Sequence, residues 1–179
     1  REELRGCLDA IAAENPYEVV VVNGPSTDGT SGMVRNRTDV DVLVEIDERN
    51  VNVSRNAGLD RVRGDAMGFV SPTMAVEPGW LDAVTVALEK AAAVTGPTHE
   101  RLDTGVATDT AESRRIRGRT VTYFNGGNVA FSTELATTLD GFDEYLGIGG
   151  ARDAAHRIAG LGHEVAWSAD MCVSREAAA

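Results

Sequence analysis

Short apolar runs alternate along this chain with segments whose apolar residues recur at helical spacing. The short runs predict strands over 17–22, 40–46, 66–70, 92–97, 119–124, 129–132 and 165–173. The periodic segments predict helices over 1–14, 31–37, 55–63, 80–93, 133–139 and 153–162. The polar stretch 99–118 is interpreted as a loop or hairpin excursion. Strands alternating with helices predict an α/β fold, a three-layer sandwich around a mainly parallel sheet.

Two of these strands organise the rest of the prediction. The run YEVVVV at 17–22 is continuously apolar, which is typical of a strand buried on both faces. The strand 66–70 is followed by Ser71-Pro72, which ends it because proline has no backbone N–H to donate. Ligands of open α/β sheets bind beyond the carboxyl ends of strands. We therefore expect chemistry just after Val70.

Length and charge limit the classes of protein to which the chain can belong. The chain has 179 residues, and we expect it to form one domain over 1–179. Because the chain opens on a helical pattern, the first strand of that domain is expected to lie outside this sequence. A net charge of −11 argues against a nucleic-acid binder. No run approaches the ~18 apolar residues of a membrane span, and no signal peptide is evident. We expect a protein of the cytoplasm, or of the inner face of the membrane, and leave its oligomeric state open.

The charged residues are unusually distributed. Lys90 is the only lysine among 17 cationic residues, against 28 acidic ones. Excess acid with little lysine is typical of proteins adapted to high salt, although a GC-rich genome would also favour arginine. Cys7 and Cys172 have no metal-type spacing and are interpreted as reduced thiols.

Four blocks of sequence, in order, resemble family 2 glycosyltransferases with the nucleotide-sugar-binding fold called GT-A. They are EVVVVNGPSTDGT at 18–30, NVSRNAGLDRVRGD at 52–65, the strand and P-G-W-L segment at 68–81, and the N-G-G-N, G-F-D-E and helical segments at 125–165. The resemblance implies an enzyme that moves a sugar, with inversion, from a nucleotide-diphosphate donor to an acceptor hydroxyl.

The resemblance also implies site residues. Donor-binding residues would be Asn23, Gly24, Ser26, Asp28, Arg55, Asn56, Ser71 and Thr73. Acceptor-binding residues would be Asn125, Gly126, Gly127 and Asn128. Simpler interpretations stay open: Asp28 could build a turn, and Arg55 with Asn56 could belong to an ion pair at a helix start.

The chain departs from the family at two acidic positions. Where the family carries Asp-x-Asp to hold Mg²⁺ or Mn²⁺ on the diphosphate, this chain reads Ser71-Pro72-Thr73, and hydroxyls replace carboxylates poorly around such ions. The metal ligands therefore stay unassigned. Gly150 and Ala151 occupy the positions of an acidic pair, which leaves Asp153 as the candidate general base, or as an ordinary acidic residue at a helix start.

Two other classes compete with the enzyme. The lost acidic positions favour a non-catalytic GT-A-like domain that binds a nucleotide or a partner protein. A nucleotidyltransferase, which has a related fold, is less favoured because no glycine-rich, lysine-bearing phosphate loop is present near the start. His156, three residues after Asp153, could relay a proton or bind a metal with it, but solvated polarity is the simpler interpretation. His99 could join a basic patch with nearby arginines or lie in a solvated loop.

Overall fold

The computed structural model describes residues 1–102 and 105–176 of the chain, as alternating helices and short strands. The helices are α1 (Glu2–Ala13), α2 (Thr30–Arg35), α3 (Val51–Leu59), α4 (Trp80–Leu88), α5 (Thr133–Leu139) and α6 (Gly150–Gly160), with a 3-10 helix at Glu144–Gly149. The strands are β1 (Val20–Asn23), β2 (Val42–Glu45), β3 (Ala66–Val70), β4 (Ala75–Val76), β5 (Ala93–Thr95), β6 (Thr98–Leu102), β7 (Gly105–Asp109), β8 (Glu112–Ile116), β9 (Arg119–Tyr123), β10 (Asn128–Ser132), β11 (Val165–Trp167) and β12 (Val173–Glu176).

The strands pair in both directions. β1 is parallel to β2, and a second sheet has the order β11-β5-β10-β3, in which β10 runs antiparallel to both its neighbours. If β10 were parallel to β5, the two strands would need a crossover connection. Instead, β5 and β10 are joined through two antiparallel pairs, β6–β7 and β8–β9. The α/β prediction is confirmed, with a mixed pairing where a mainly parallel one was expected.

Helices cover both faces of the β10 sheet, which gives the predicted layers. Phe131 on one face of β10 packs with α5 and α6, where Ile158 is almost fully buried. Ala130 on the other face packs with Trp80 of α4 and with Met171. Because successive side chains of a strand point to opposite faces, one short strand supports two apolar clusters.

Several predicted boundaries differ from the structure; for example, α4 ends at Leu88 rather than at residue 93, and β1 begins at Val20 rather than at residue 17. Helix α3 begins at Val51 rather than at residue 55, because the Asn50 side chain caps it by accepting from the N–H of Asn52 at 3.0 Å. Helix α6 begins at Gly150 rather than at 153. The single strand predicted over 165–173 is two strands in different sheets, β11 and β12, joined by a turn in which Met171 N–H donates to the Ser168 carbonyl.

Other predictions agree closely with the structure. The strand 66–70 and the helix 133–139 have the expected bounds, with Ser132 as the N-cap. The stretch 99–118 forms hairpin strands, apart from the two residues outside the described part of the chain. In the described residues, no helix is both long and apolar enough to cross a bilayer.

Candidate functional site

A cavity of about 740 Å³ lies between β1 and β3 and extends to the turn at 125–127. Seven of the predicted site residues line it: Asn23, Arg55, Ser71, Thr73, Asn125, Gly126 and Gly127. The others lie outside its lining: Gly24, Ser26, Asp28, Asn56, Asn128 and Asp153. The fold therefore brings about half of the predicted set to one place, the carboxyl ends of β1 and β3.

Arg55 is the charged group at the centre of this arrangement. Its Nη1 donates to Asn52 Oδ1 at 3.0 Å, and its guanidinium carbon lies 5.0 Å from the centre of the Phe142 ring. Burial lowers the pKa of Arg55. No carboxylate of residues 1–102 and 105–175 forms a salt bridge with it. A partly buried cation without a counter-ion is costly, so this position favours an anionic ligand.

The glycine turn lets Arg55 reach that position. A Cβ at Gly126 would lie 2.2 Å from Arg55 Nη2, and a Cβ at Gly127 would lie 2.7 Å from the Cβ of Ser71. Neither neighbour could accept a side chain there without moving. The close approach of turn, arginine and strand end is thus the physical reason for two adjacent glycines.

Asn52, which the sequence analysis did not select, holds Arg55 in place. Its side chain is fully buried and Nδ2 donates to the carbonyls of Asp143 at 2.9 Å and Gly147 at 2.7 Å. A Cβ at Gly150 would lie 2.4 Å from that Nδ2, so an acidic side chain would not fit there. The sequence feature that could have pointed to Asn52 is its position three residues before Arg55, which places both side chains on one face of the helix.

The loop after β1 is held by its own side chains. Asn23 Nδ2 donates to the hydroxyls of Ser26 and Ser31, both at 2.8 Å. Asp28 Oδ1 accepts from the Thr30 hydroxyl at 2.6 Å and from its N–H at 3.1 Å, which holds the pKa of Asp28 below its ordinary value. Asp28 therefore does build the start of α2, while Asn23 faces the cavity. A Cβ at Gly24 would lie 3.0 Å from the Glu48 carbonyl, so glycine permits a close backbone contact there.

Ser71 and Thr73 do not form a divalent-metal site. Their hydroxyls lie 3.1 Å apart and hydrogen-bond each other, and the Ser71 N–H donates to the Gly127 carbonyl at 3.1 Å. Mg²⁺ and Mn²⁺ are bound mainly by carboxylates, carbonyls and water, and no carboxylate of the described residues hydrogen-bonds either hydroxyl. The residues present do not fit such an ion.

Asn125 and Asn128 have different environments. Asn125 Oδ1 accepts from the Gly127 N–H at 2.9 Å, and the residue lines the cavity. Asn128 is fully buried: its Nδ2 donates to the carbonyls of Gly96, Pro97 and Met171, and its Oδ1 accepts from Trp80 Nε1 at 2.9 Å. Asn128 thus has no side-chain group left for an acceptor substrate.

Asp153 is held away from the cavity by an ion pair. Its Oδ2 lies 2.7 Å from Arg157 Nε, and Arg157 also donates to the carbonyls of Leu139 at 2.6 Å and Gly141 at 2.9 Å. This contact ties α6 to the end of α5. The carboxylate has a structural partner, and its assignment as a general base stays a prediction.

Asn56 and His156 are likewise engaged with neighbours. Asn56 Nδ2 donates to the Phe142 carbonyl and to Glu144 Oε1, both at 2.9 Å, and Oδ1 accepts from the Phe142 N–H at 2.8 Å. His156 Nε2 lies 3.1 Å from the Tyr123 hydroxyl, whereas the Asp153 carboxylate pairs with Arg157, so the two side chains do not hydrogen-bond each other. Asn56 therefore fastens the loop after α5 to α3.

The cavity is also an opening in the sheet. β1 is paired with β2 only and β3 with β10 only, within the described residues. The carbonyls of Val19 and Asn23 accept from the β2 side at 3.2 and 3.0 Å, so by alternation the backbone groups of Val20 and Val22 point into the cavity. Val19 and Val21 are buried but Val20 and Val22 only partly so, where burial on both faces was expected.

The two open edges run in the same direction. Glu18, just before β1, accepts at Oε1 from the N–H of Gly64, just before β3, at 3.0 Å. Side chains of α1 and α3 line the opening from the two sides, among them Leu8, Ile11 and Leu59. The opening thus has free strand edges on two sides and apolar helix residues on the others.

Comparisons with known proteins agree with this geometry. The fold is GT-A, the fold of nucleotide-sugar transferases. Residues 1–136 match Glycosyl transferase family 2, and the chain belongs to that family.

Three relatives illustrate the likeness. Glycosyltransferase AglE of Haloferax volcanii is 26% identical over 89 residues, which are 45% of this chain and 29% of AglE. The mannosyltransferase PcManGT of Pyrobaculum calidifontis, solved with GDP-Man and Mn²⁺, superposes with a TM-score of 0.73 at 22% identity over 97% of this chain and 53% of its own. TarS of S. aureus, solved as residues 1–349 with UDP-GlcNAc, gives 0.78 at 17% identity over 100% of this chain and 56% of its own. The chain thus spans about half the length of these solved relatives, and less of AglE.

Proposed function

We propose that this chain binds a nucleotide-diphosphate sugar and is the donor-binding part of a glycosyltransferase that transfers the sugar to an acceptor hydroxyl. The supporting observation is Arg55, a partly buried cation with no carboxylate partner in the described residues, at the end of the cavity where β1 and β3 finish. A diphosphate offers paired anionic oxygens that match a guanidinium. Family membership supports the reaction class.

The other cavity residues suit the rest of such a donor. Asn23 lies at the end of β1, with an amide that can meet a base edge, and the Asn125 turn presents backbone without bulky side chains. The bound donors of PcManGT and TarS, GDP-Man and UDP-GlcNAc, are both of this class.

The donor charge is proposed to be met without a metal at Ser71 and Thr73. Neither hydroxyl supplies the negative charge that holds a dication, whereas Arg55 supplies positive charge directly. PcManGT was solved with Mn²⁺, so the two proteins are expected to differ here.

A second candidate function, a non-catalytic domain that binds the nucleotide only, is favoured by one observation. Asp153, the candidate base, is paired with Arg157 rather than directed to the cavity. General-base catalysis contributes about 10²–10⁴-fold, so a domain without a base would bind donor and transfer little.

One experiment separates these functions. Calorimetry with UDP-, GDP- and dTDP-sugars, with Mn²⁺ and with a chelator, measures donor binding, and product analysis with simple acceptors measures transfer. We expect binding of one donor class that is unchanged by the chelator. Binding without transfer would support the second function, and absence of binding by the whole panel would refute both.

We also propose that the part of the opening alongside β1 and β3 receives one further strand, parallel to both and joined to α1, while the donor binds at the end of the opening beside Asn23, Arg55 and Ser71. Its support is the pair of facing edges and the apolar helix residues on both sides, which suit a buried parallel strand. Arg1 lies beside Asp28, beyond the end of β1, where a parallel strand would leave the sheet.

Hydrogen exchange tests this strand. In a chain extended ahead of Arg1 by a segment that forms this strand, the amides of Val20 and Val22 are expected to exchange slowly, because they would pair across the opening. In residues 1–179 alone they should exchange as edge amides. Equally fast exchange in both chains would refute the added strand.

A further inference from the structure

A second group of chemically active side chains lies away from the donor cavity. Glu77 follows β4, His99 is the second residue of β6, and Cys172 precedes β12. These three strands are neighbours in one sheet, in the order β4-β12-β6. Their backbones are held by ladder pairing, and the Glu77 N–H donates to the Cys172 carbonyl at 2.9 Å. The three side chains therefore start from fixed positions.

Their ligand atoms converge on a small volume. His99 Nδ1 lies 3.2 Å from Cys172 Sγ and 3.3 Å from Glu77 Oε1. One oxygen, nitrogen and sulfur atom of the three residues all lie within 4.8 Å of one another. Around a tetrahedral zinc with bonds of ~2.0–2.3 Å, such atoms would lie about 3.3–3.6 Å apart, so only small movements are needed.

We propose that Glu77, His99 and Cys172 form a zinc-binding site with one coordination position open. Thiolate, imidazole and carboxylate together are a ligand set that zinc accepts in tetrahedral geometry. Hard ions such as Mg²⁺ and Ca²⁺ prefer oxygen ligands alone, so the sulfur and nitrogen select against them.

The open position faces solvent. The three residues border a surface depression of about 850 Å³, and the side chains of His99 and Glu77 are 32% and 34% exposed, while Cys172 is buried beneath them. Three protein ligands with an accessible fourth position is the arrangement of zinc sites that keep a water or other exchangeable ligand.

The zinc site is distinct from the donor cavity. Thr98, adjacent to His99, has its hydroxyl 3.3 Å from Asn125 Nδ2, on the side of the glycine turn. Because neighbouring residues of a strand point to opposite faces, His99 points to the other face of the sheet. Zinc at this site therefore cannot substitute for an ion at Ser71 and Thr73, and the inference does not depend on the proposed function.

Calorimetric titration of Zn²⁺ into the reduced, metal-free protein tests the site. We expect one zinc per chain, with affinity reduced at least ~100-fold in His99→Gln and in Cys172→Ser, since removal of a ligand should cost no less than the loss of an outer-shell partner. The chain has three histidines and two cysteines, so His163→Gln and Cys7→Ser are matched controls that should bind zinc like the wild type.

Two further measurements keep the outcome clear. Co²⁺ should give a thiolate-to-cobalt absorption band that Cys7→Ser retains and Cys172→Ser loses, and zinc should raise the melting temperature of wild type but not of Glu77→Gln. Circular dichroism establishes that each variant is folded. If Cys172→Ser does not fold, because Cys172 is buried, the test rests on His99→Gln, whose side chain is partly exposed. No zinc binding by the wild type, or equal binding by His99→Gln in a folded protein, would overturn the site.

Discussion

Replacing Arg55 by methionine should separate donor binding from folding. Methionine keeps an unbranched side chain of similar length beside Phe142 and removes the charge. If Arg55 meets the diphosphate, its charged hydrogen bonds contribute about 1.5–3 kcal/mol. At 1.4 kcal/mol per factor of ten, the donor Kd should rise about 10- to 150-fold.

The effect of the same change on stability should be small because two terms oppose each other. Methionine leaves Asn52 Oδ1 without its 3.0 Å donor, and an unsatisfied buried acceptor costs about 1–3 kcal/mol. It also removes a desolvated cation that has no carboxylate partner among the described residues, which is favourable. We expect the free energy of unfolding to change by less than about 2 kcal/mol.

Calorimetry measures the donor Kd, and urea unfolding measures the free energy of unfolding. Arg114→Met is the matched control, because Arg114 is exposed on β8 and pairs with Glu112. It should leave donor affinity unchanged. A donor Kd for Arg55→Met within about twofold of the wild type, in a folded protein, would refute the diphosphate role.

Three other measurements test separate parts of the account. Asp153→Asn removes the ion pair with Arg157 and should lower the free energy of unfolding by up to about 1 kcal/mol. It should change the rate of sugar transfer by less than about threefold, whereas a ~100-fold loss of rate would establish Asp153 as the general base. Burial raises the pKa of Glu18, but hydrogen bonds from Arg63 and Gly64 outweigh it and hold the folded-state pKa below the ordinary 4.5. The ionised Glu18 therefore stabilises the fold above that pH, and this contribution is lost as the pH falls through the folded-state pKa. Glu18→Gln should accordingly lose less stability in acid than the wild type. Given a net charge of −11, the melting temperature should rise from dilute to molar KCl, and no rise would count against salt adaptation.

The elements that follow from short-range patterns were predictable. β3 and α5 have the expected bounds because proline, a serine N-cap and regular apolar spacing act within a few residues. The start of α3 was missed because capping by Asn50 extended the helix into a polar segment. The strand after residue 165 was misjudged because a turn at Ser168 sends the chain into another sheet, which an apolar run does not disclose.

The residues of the candidate site could be predicted from sequence where their place in the fold alone brings them to the cavity. Residues after strand ends reached the cavity, as Asn23 and Ser71 did. Partner choice was not predictable, because Asp153 finds Arg157 and Asn128 finds three carbonyls only when distant segments meet. The zinc ligands belong to the same class: Cys172 is 73 residues from His99, and no local spacing connects them.

The departures at the acidic positions and the environment of Arg55 have a common physical explanation. A carboxylate pair near Ser71 would need a dication to keep the diphosphate position positive. If Arg55 meets the diphosphate, as proposed, one guanidinium held by Asn52 supplies positive charge there without those carboxylates, and the same Asn52 excludes a side chain at Gly150. On that proposal, a fixed arginine takes the electrostatic part that a metal ion would otherwise have. Binding of donor that strengthens at least tenfold with Mn²⁺ would contradict it.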